Sequence, residues 1–294
     1  MPKCLDALKE ELAEKISRYT SAGWWVPATV RQAVPMLCIL KKNGKLCTVF
    51  ALHMQNENSE KDVSPFLDQD AIWHDITHAV YRSKLDMSEA HEQICICDED
   101  IPKTAFTTIF GTFMSRVMQQ GDCNAPSTFQ RSMTSVFRDF VLRFIHVYLD
   151  DIFIYSLTIE EHKNHLAQVF NKLWEAQLYL SQDKVDLYSE RMDCLGHIIT
   201  NAGTHACANK MQKIWDWRQP CNFFGEVQRF LGLVQYLAHF MPDFTAYTSP
   251  LMTCVHNGRQ FVWTPLYDKC LESIKALVCR APILKPIEDR KSVV

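Results

Sequence analysis

The chain predicts an α+β fold with an antiparallel sheet, on three observations. Its strand-like runs come in hairpin pairs, helical patterns alternate with those hairpins without any strand–helix–strand repeat, and from Lys210 onward the pattern is helical alone.

Leu5, Leu8, Leu12, Ile16 and Tyr19 recur at helical spacing, so an N-terminal helix is expected, stopping before Gly23. After Pro27, PMLCILKKNGKLCTVF reads as a hairpin with Asn43-Gly44 as its two-residue turn. Residues 55–75 are polar and punctuated by Pro65, and read as a loop. SKLDM and QICIC then read as short strands around a brief helical link, and KTAFTTIF as a third strand.

Asn124-Ala-Pro126 opens a helix whose Phe129, Met133, Phe137 and Phe140 share a face. VYLDDIFIYS follows as a hairpin with Asp150 at or near its turn. From Ile159 a helix carries Leu166, Val169, Phe170, Leu173 and Ala176 inward. MQKIWDW, FFGEVQRFLGLVQYLAHF and the run Leu266 to Val278 are helical patterns broken by Pro220, Pro242 and Pro265. The simplest division is a mixed lobe to about residue 204, a helical lobe to about residue 257, and a short tail.

With 294 residues, 47% apolar and 22% charged, the chain can bury a sizeable core. No stretch approaches the roughly 18 to 20 apolar residues of a membrane span, and MPKCLDALKEELAEK is charged where a signal peptide is apolar, so no membrane partner is expected. A soluble intracellular protein, cytoplasmic or nuclear, fits these features. The 12 cysteines are scattered without a CxxC pair and read as reduced core residues. His162 and His165 share a predicted helix but lack the cysteine pair of a zinc site.

A net charge of −3 argues weakly against nucleic acid, yet the charge is uneven. Residues 1–50 carry eight Lys/Arg against four Asp/Glu, whereas residues 51–100 carry three against twelve. Basic lobes around an acidic centre hold a polyanion if the acids themselves hold divalent metal.

Asp150 and Asp151 are adjacent acids between apolar strands. Like charges at that spacing repel, and each resists leaving water without a positive partner. A bound cation answers this; so does an ordinary Asp-Asp turn at the solvent edge. Two-metal phosphoryl transfer needs a carboxylate from another strand as well, because the cations sit about 3.5 to 4 Å apart. Asp86, at the end of SKLDM, fits that place, although taken singly an aspartate there is more often a helix N-cap.

Read in order, SKLDMSEAHEQICICDEDIPKTAF, FGTFMSRVMQQGDCNAPSTFQRSM, VYLDDIFIYS, HLAQVFNKLWEAQLYLSQDKVDLYSERMDCLGHIITNAG and VQRFLGLVQYLAHFMPDFTAYTSPL strongly resemble the reverse transcriptase of gypsy-type LTR retrotransposons, with wording closest to the fungal branch. The resemblance runs from about Trp25 to Pro286. It implies a right-hand polymerase: an N-terminal extension at 1–24, fingers and palm at 25–204, a helical thumb at 205–257, and at 258–294 the start of a connection, truncated before an RNase H domain.

It further implies an RNA-directed DNA polymerase acting on an RNA template, a DNA primer and a dNTP, alone or as a homodimer, with two Mg²⁺ or Mn²⁺ ions. Asp86, Asp150 and Asp151 would be the catalytic, metal-holding acids, and Lys184 the lysine that protonates the leaving pyrophosphate. Gln120 and Gly121 match the loop beside the incoming nucleotide and template, with a polar turn as the alternative. Leu195, Gly196 and His197 match the primer-grip hairpin. Gly232 falls in the thumb helices, where simple helix packing is the alternative.

The nucleotide grip departs from the family. Cys47 stands where relatives carry an arginine and Ala51 where they carry an aspartate, and His53 and Met54 replace a basic neighbourhood. A thiol cannot make the bidentate phosphate contacts of a guanidinium. Lys41, Lys42 and Lys45 remain as candidate phosphate contacts, with a solvated turn as the alternative. His91 replaces the aromatic beneath the nucleotide sugar, which puts discrimination against ribonucleotides in question. The competing reading is therefore an inactive retroelement-derived protein that binds RNA or an RNA–DNA duplex.

Overall fold

A computed structural model of the chain describes residues 5–40, 44, 46–62, 64, 67–218, 223–241, 243–254 and 262–279. Leu8, Leu12 and Tyr19 are buried along α1 (Lys9–Ser21), and Gly23, at φ +72°, provides the left-handed residue that follows the helix end. Leu5 precedes the helix and is 59% exposed, so the apolar face begins at Leu8. Tyr19 meets Trp25 of β1 (Trp25–Pro27) with ring centroids 4.5 Å apart.

The expected first hairpin forms from β2 (Val34–Leu40) and β3 (Leu46–Phe50), in register from Met36↔Phe50 to Leu40↔Leu46. Gly44 has φ +79°, as its turn requires. Lys41, Lys42, Asn43 and Lys45 lie outside the described residues.

The stretch expected as a loop contains α2 (His53–Glu57) and α3 (Gln69–His78). In α3, Ile72 and Ile76 are wholly buried, a one-turn spacing that the polar residues around them conceal. β4 (Tyr81–Asp86) then forms as expected, but QICIC does not become a strand. Cys95 makes only an isolated bridge to Val117, and Cys95 and Cys97 face solvent. KTAFTTIF contributes only β5 (Phe106–Thr108), which pairs with β6 (Gly111–Ser115).

Phe129, Met133 and Phe137 are wholly buried on α4 (Ala125–Val136) and its C-cap, against β7 (Ile145–Tyr148) and β8 (Asp151–Ser156). α5 (Ile159–Glu175) starts from a capping box between Thr158 and Glu161. Its Leu166, Val169 and Leu173 point inward as expected, but Phe170 and Ala176 are exposed: the stripe is narrower than the apolar letters imply.

β9 (Arg191–Cys194), β10 (His197–Thr200) and β11 (Gly203–His205) form an antiparallel meander. The remaining helices are α6 (Ala208–Trp215), α7 (Phe224–Gln235), α8 (Phe244–Cys254) and α9 (Pro265–Cys279). Pro265 begins α9 instead of breaking a helix, because a first-turn residue needs no N–H.

Two compact units result. One holds the chain up to Asp68 with Ser83–Leu187; the other holds Gln69–Arg82 with the chain from Tyr188. The first carries the sheet β1-β6-β5-β2-β3, antiparallel in its pairings except for β2 with β5, and the sheet β4-β8-β7. The second buries Ile214, Phe230, Val234, Leu251, Leu271 and Ile274 between its helices.

Candidate active site

β7 and β8 pair with Tyr148 opposite Asp151, which leaves Leu149 and Asp150 as a two-residue turn. Leu149 takes φ +53°, a left-handed conformation that a leucine adopts only when its surroundings enforce it. The enforcing group is Gln130 on α4, buried beneath the turn. Its Oε1 accepts the Leu149 N–H at 2.8 Å and its Nε2 donates to the Val147 carbonyl at 3.0 Å. The Met87 N–H donates to the Asp150 carbonyl at 3.0 Å, tying the end of β4 to the same turn.

This brings Asp86, Asp150 and Asp151 to one end of the β4-β8-β7 sheet, with no helix at Asp86 for it to cap. Asp150 is exposed, whereas Asp86 is only 8% exposed. Each of the two less exposed acids has a lysine. Lys184 donates to both Asp86 oxygens, at 2.9 and 3.2 Å, and Lys84 donates to Asp151 Oδ2 at 2.9 Å. Burial raises the Asp151 carboxyl above its ordinary range; the Lys84 ammonium opposes this, and the charges of Asp150 and Asp86 add to it. The hydrogen bond to Asp86 leads the causes that raise the Lys184 ammonium, which therefore stays protonated and able to act as an acid.

Hard carboxylate oxygens are the donors that Mg²⁺ and Mn²⁺ take. In donor type and in clustered negative charge these residues fit such cations. Among the described residues, however, no three His, Cys, Asp or Glu side chains converge as a metal-binding group, and the two lysines engage the oxygens of two of the three acids.

A cleft of about 310 Å³ opens beside the turn, lined among others by Lys15, Cys47, Thr48, His91, Gln120, Leu149, Asp150 and Lys184. Four of the sequence-predicted residues, His91, Gln120, Asp150 and Lys184, thus line one cleft. Cys47 Sγ lies 3.9 Å from Gln120 Oε1, and the Gln120 carbonyl accepts the Phe50 N–H at 3.1 Å. Gly121 has φ +120°, and a Cβ there would stand 2.6 Å from the Phe50 carbonyl oxygen, so only glycine lets the two segments approach. His91 packs edge-on against Phe129 at 5.9 Å, and its buried Nδ1 has no hydrogen-bond partner. Burial lowers its pKa, against the pull of Asp150 and Asp122, so the ring is neutral.

Leu195, Gly196 and His197 lie in the other unit. Leu195 and Gly196, at φ +49° and +83°, form the two-residue turn between β9 and β10. His197 is 1% exposed and stacks on Tyr236 at 4.4 Å. A Cβ at Gly196 would meet the Tyr236 hydroxyl at 2.8 Å and Lys210 Nζ at 2.9 Å. His162 and His165 form no metal pair: the Ser156 hydroxyl bridges their Nδ1 atoms at 2.8 Å each, and Ser83 meets His162 Nε2 at 2.7 Å.

Sequence reasoning passed over Lys84, Lys15 and Gln130. Lys84 was findable, since residues two apart on a strand share a face and it sits two before Asp86. Gln130 carried a signal too, as a polar residue on the buried face of an amphipathic helix. Lys15 carried none, because only the tertiary fold brings α1 to β3.

Residues 31–199, more than half of the chain, match the family model described as reverse transcriptase (RNA-dependent DNA polymerase). The chain is 31% identical over 284 residues to the retrovirus-related Pol polyprotein from transposon 297 of Drosophila melanogaster, covering 96% of this chain and 26% of that protein. It is 28% identical to the transposon Tf2-3 polyprotein of Schizosaccharomyces pombe, covering 97% of this chain and 21% of that one. It thus spans about a quarter or less of the length of these relatives. Among solved structures, the foamy viral protease-reverse transcriptase dRH in complex with double-stranded DNA superposes with a TM-score of 0.88 at 24% identity, over 99% of this chain and 52% of that one. The foamy viral protease-reverse transcriptase in complex with an RNA/DNA hybrid gives 0.81 at 23% identity, over 97% and 39%. At these identities the likeness establishes a shared polymerase fold.

Proposed function

The chain belongs to the reverse transcriptase family, with relatives among retrotransposon Pol polyproteins, and on that premise we propose that it is an RNA-directed DNA polymerase module that transfers nucleotides to a primer 3′-hydroxyl. One observation carries the reading. Asp86, Asp150 and Asp151 lie at one end of the β4-β8-β7 sheet, and Asp150 among them lines the adjoining cleft, an arrangement of like charges that a bound cation would relieve.

In this reading the three carboxylates hold Mg²⁺ or Mn²⁺, which would lower the pKa of the primer hydroxyl and neutralise triphosphate charge. Gln130 holds the turn so that Asp150 faces the cleft. Lys184, kept protonated beside Asp86, gives its proton to the departing pyrophosphate. Gln120 and Gly121 form the nucleotide-facing wall, with His91 beneath the sugar. The described part of the β2–β3 hairpin belongs to the fingers, the β4-β8-β7 sheet to the palm, and α6 to α8 to the thumb. The Leu195–Gly196 turn and His197 form the primer grip, and the substrates are an RNA template, a DNA primer and a dNTP.

The test is primer extension on a homopolymeric RNA template in Mg²⁺ and in Mn²⁺, with Asp150→Asn as the control. Loss of a metal-holding oxygen removes several kcal/mol of transition-state stabilisation, so synthesis should fall about a thousandfold or more. Melting of Asp150→Asn should stay at or above the wild-type temperature, because the exchange relieves like-charge repulsion. Wild-type protein that folds and binds duplex without extending primers would sink the proposal.

A second reading, a duplex-binding protein without chemistry, is favoured by Cys47. The thiol stands on the cleft wall at a position where a cation would hold the triphosphate.

A further inference from the structure

The cleft wall that holds Cys47 also holds a cation from elsewhere in the chain. Lys15 rises from α1, which precedes the residues that match the family model. Its side chain is 17% exposed, and its ammonium donates to Thr48 Oγ1 at 2.9 Å. Thr48 is the neighbour of Cys47 on β3, and both line the cleft with Gln120, Asp150 and Lys184. The ammonium also stands 4.8 Å from the Tyr19 ring centre and 3.5 Å from Glu92.

We propose that Lys15 is a phosphate-contacting residue of this cleft, supplying the triphosphate of an incoming nucleotide with the positive charge that Cys47 does not. The inference rests on the polymerase reading and adds a residue to it. Geometry supports the role in three ways. The Thr48 hydroxyl fixes the ammonium beside β3, so little conformational freedom is lost on meeting a phosphate. The Glu92 carboxylate stands 3.5 Å from the ammonium, and burial raises the Glu92 pKa against the opposing charge of Lys15, so this partner's negative charge is disfavoured. A lysine stem can also advance a few ångströms toward an anion while its methylenes stay packed on Tyr19.

Primer extension by the whole chain decides the matter through the KM for dNTP. Lys15→Gln should raise that KM about tenfold or more while kcat and duplex affinity stay within about twofold, and Lys15→Arg should restore most of the loss. An unchanged KM in folded Lys15→Gln overturns the proposal. If Lys15→Gln does not fold, Glu92→Gln takes its place: freeing the ammonium should lower the KM several-fold, and no decrease overturns the proposal. If wild-type protein extends no primer, the polymerase reading fails separately. The rise in melting temperature that dTTP and Mg²⁺ give wild-type protein then serves as the readout. Its loss in Lys15→Gln supports the role, whereas its persistence there, or its absence from wild type, overturns it.

Discussion

His162 shows how one residue ties β4 and β8 to the helix behind them. Both ring nitrogens meet hydroxyls, of Ser83 on β4 and Ser156 on β8, and the ring is wholly buried. Burial, reinforced by the charge of nearby His165, lowers its pKa from 6.5 to about 4. The unfolded chain therefore binds a proton that the folded one refuses between these values. Stability contributed this way is complete above about pH 6.5 and is lost as pH falls toward 4. Urea unfolding at pH 7 and pH 4.5 should show wild type losing about 2 kcal/mol more on acidification than His162→Gln. Equal losses would mean that the folded pKa is ordinary. At this scale the sequence was legible where charge stood out: Asp86, Asp150 and Asp151 announce themselves as acids among apolar strands. Lys15, Glu92 and the His162 network were not, because their meaning comes from partners 30 to 80 positions away.

Among the elements, the β7–β8 hairpin is the one that a helix must finish. Its turn lacks the Asn-Gly pair that favours positive φ, and Leu149 is held there by Gln130 alone among the side chains bonded to the turn backbone of the described residues. Gln130→Leu keeps the volume but leaves a buried N–H and a carbonyl unpaired, which should cost about 2 kcal/mol in urea unfolding. Primer extension should fall further than stability accounts for, since the turn that carries Asp150 would relax; wild-type extension would remove Gln130 from the site's support. Hairpins and long helices were readable from periodicity. The exceptions have local causes: α3 hides two buried isoleucines among polar residues, and QICIC has strand-like letters but only one bridging partner, Val117.

For the whole molecule, a net charge of −3 conceals an uneven distribution in which Lys15 and Lys184 line the cleft beside Asp150. Binding to an RNA–DNA duplex should therefore weaken more than tenfold between 50 and 200 mM salt, with a log–log slope of about −0.9 for each phosphate neutralised. Asp150→Asn should leave the slope unchanged in the same titration, and a salt-independent affinity would exclude backbone binding. Among the described residues no helix is long and apolar enough to cross a membrane. The α+β class was legible from the alternation of hairpins and helices. The interlacing of the two units was not, since nothing in a linear pattern says that Gln69–Arg82 packs with residues beyond 187. That interlacing has a consequence during translation. Trp73 donates to the Cys194 carbonyl across 121 positions. At about 5 to 20 residues per second, α3 leaves the ribosome roughly 6 to 24 seconds before its partner exists. For that interval α3 stands without β10 and β11, the strands that it meets in the folded protein.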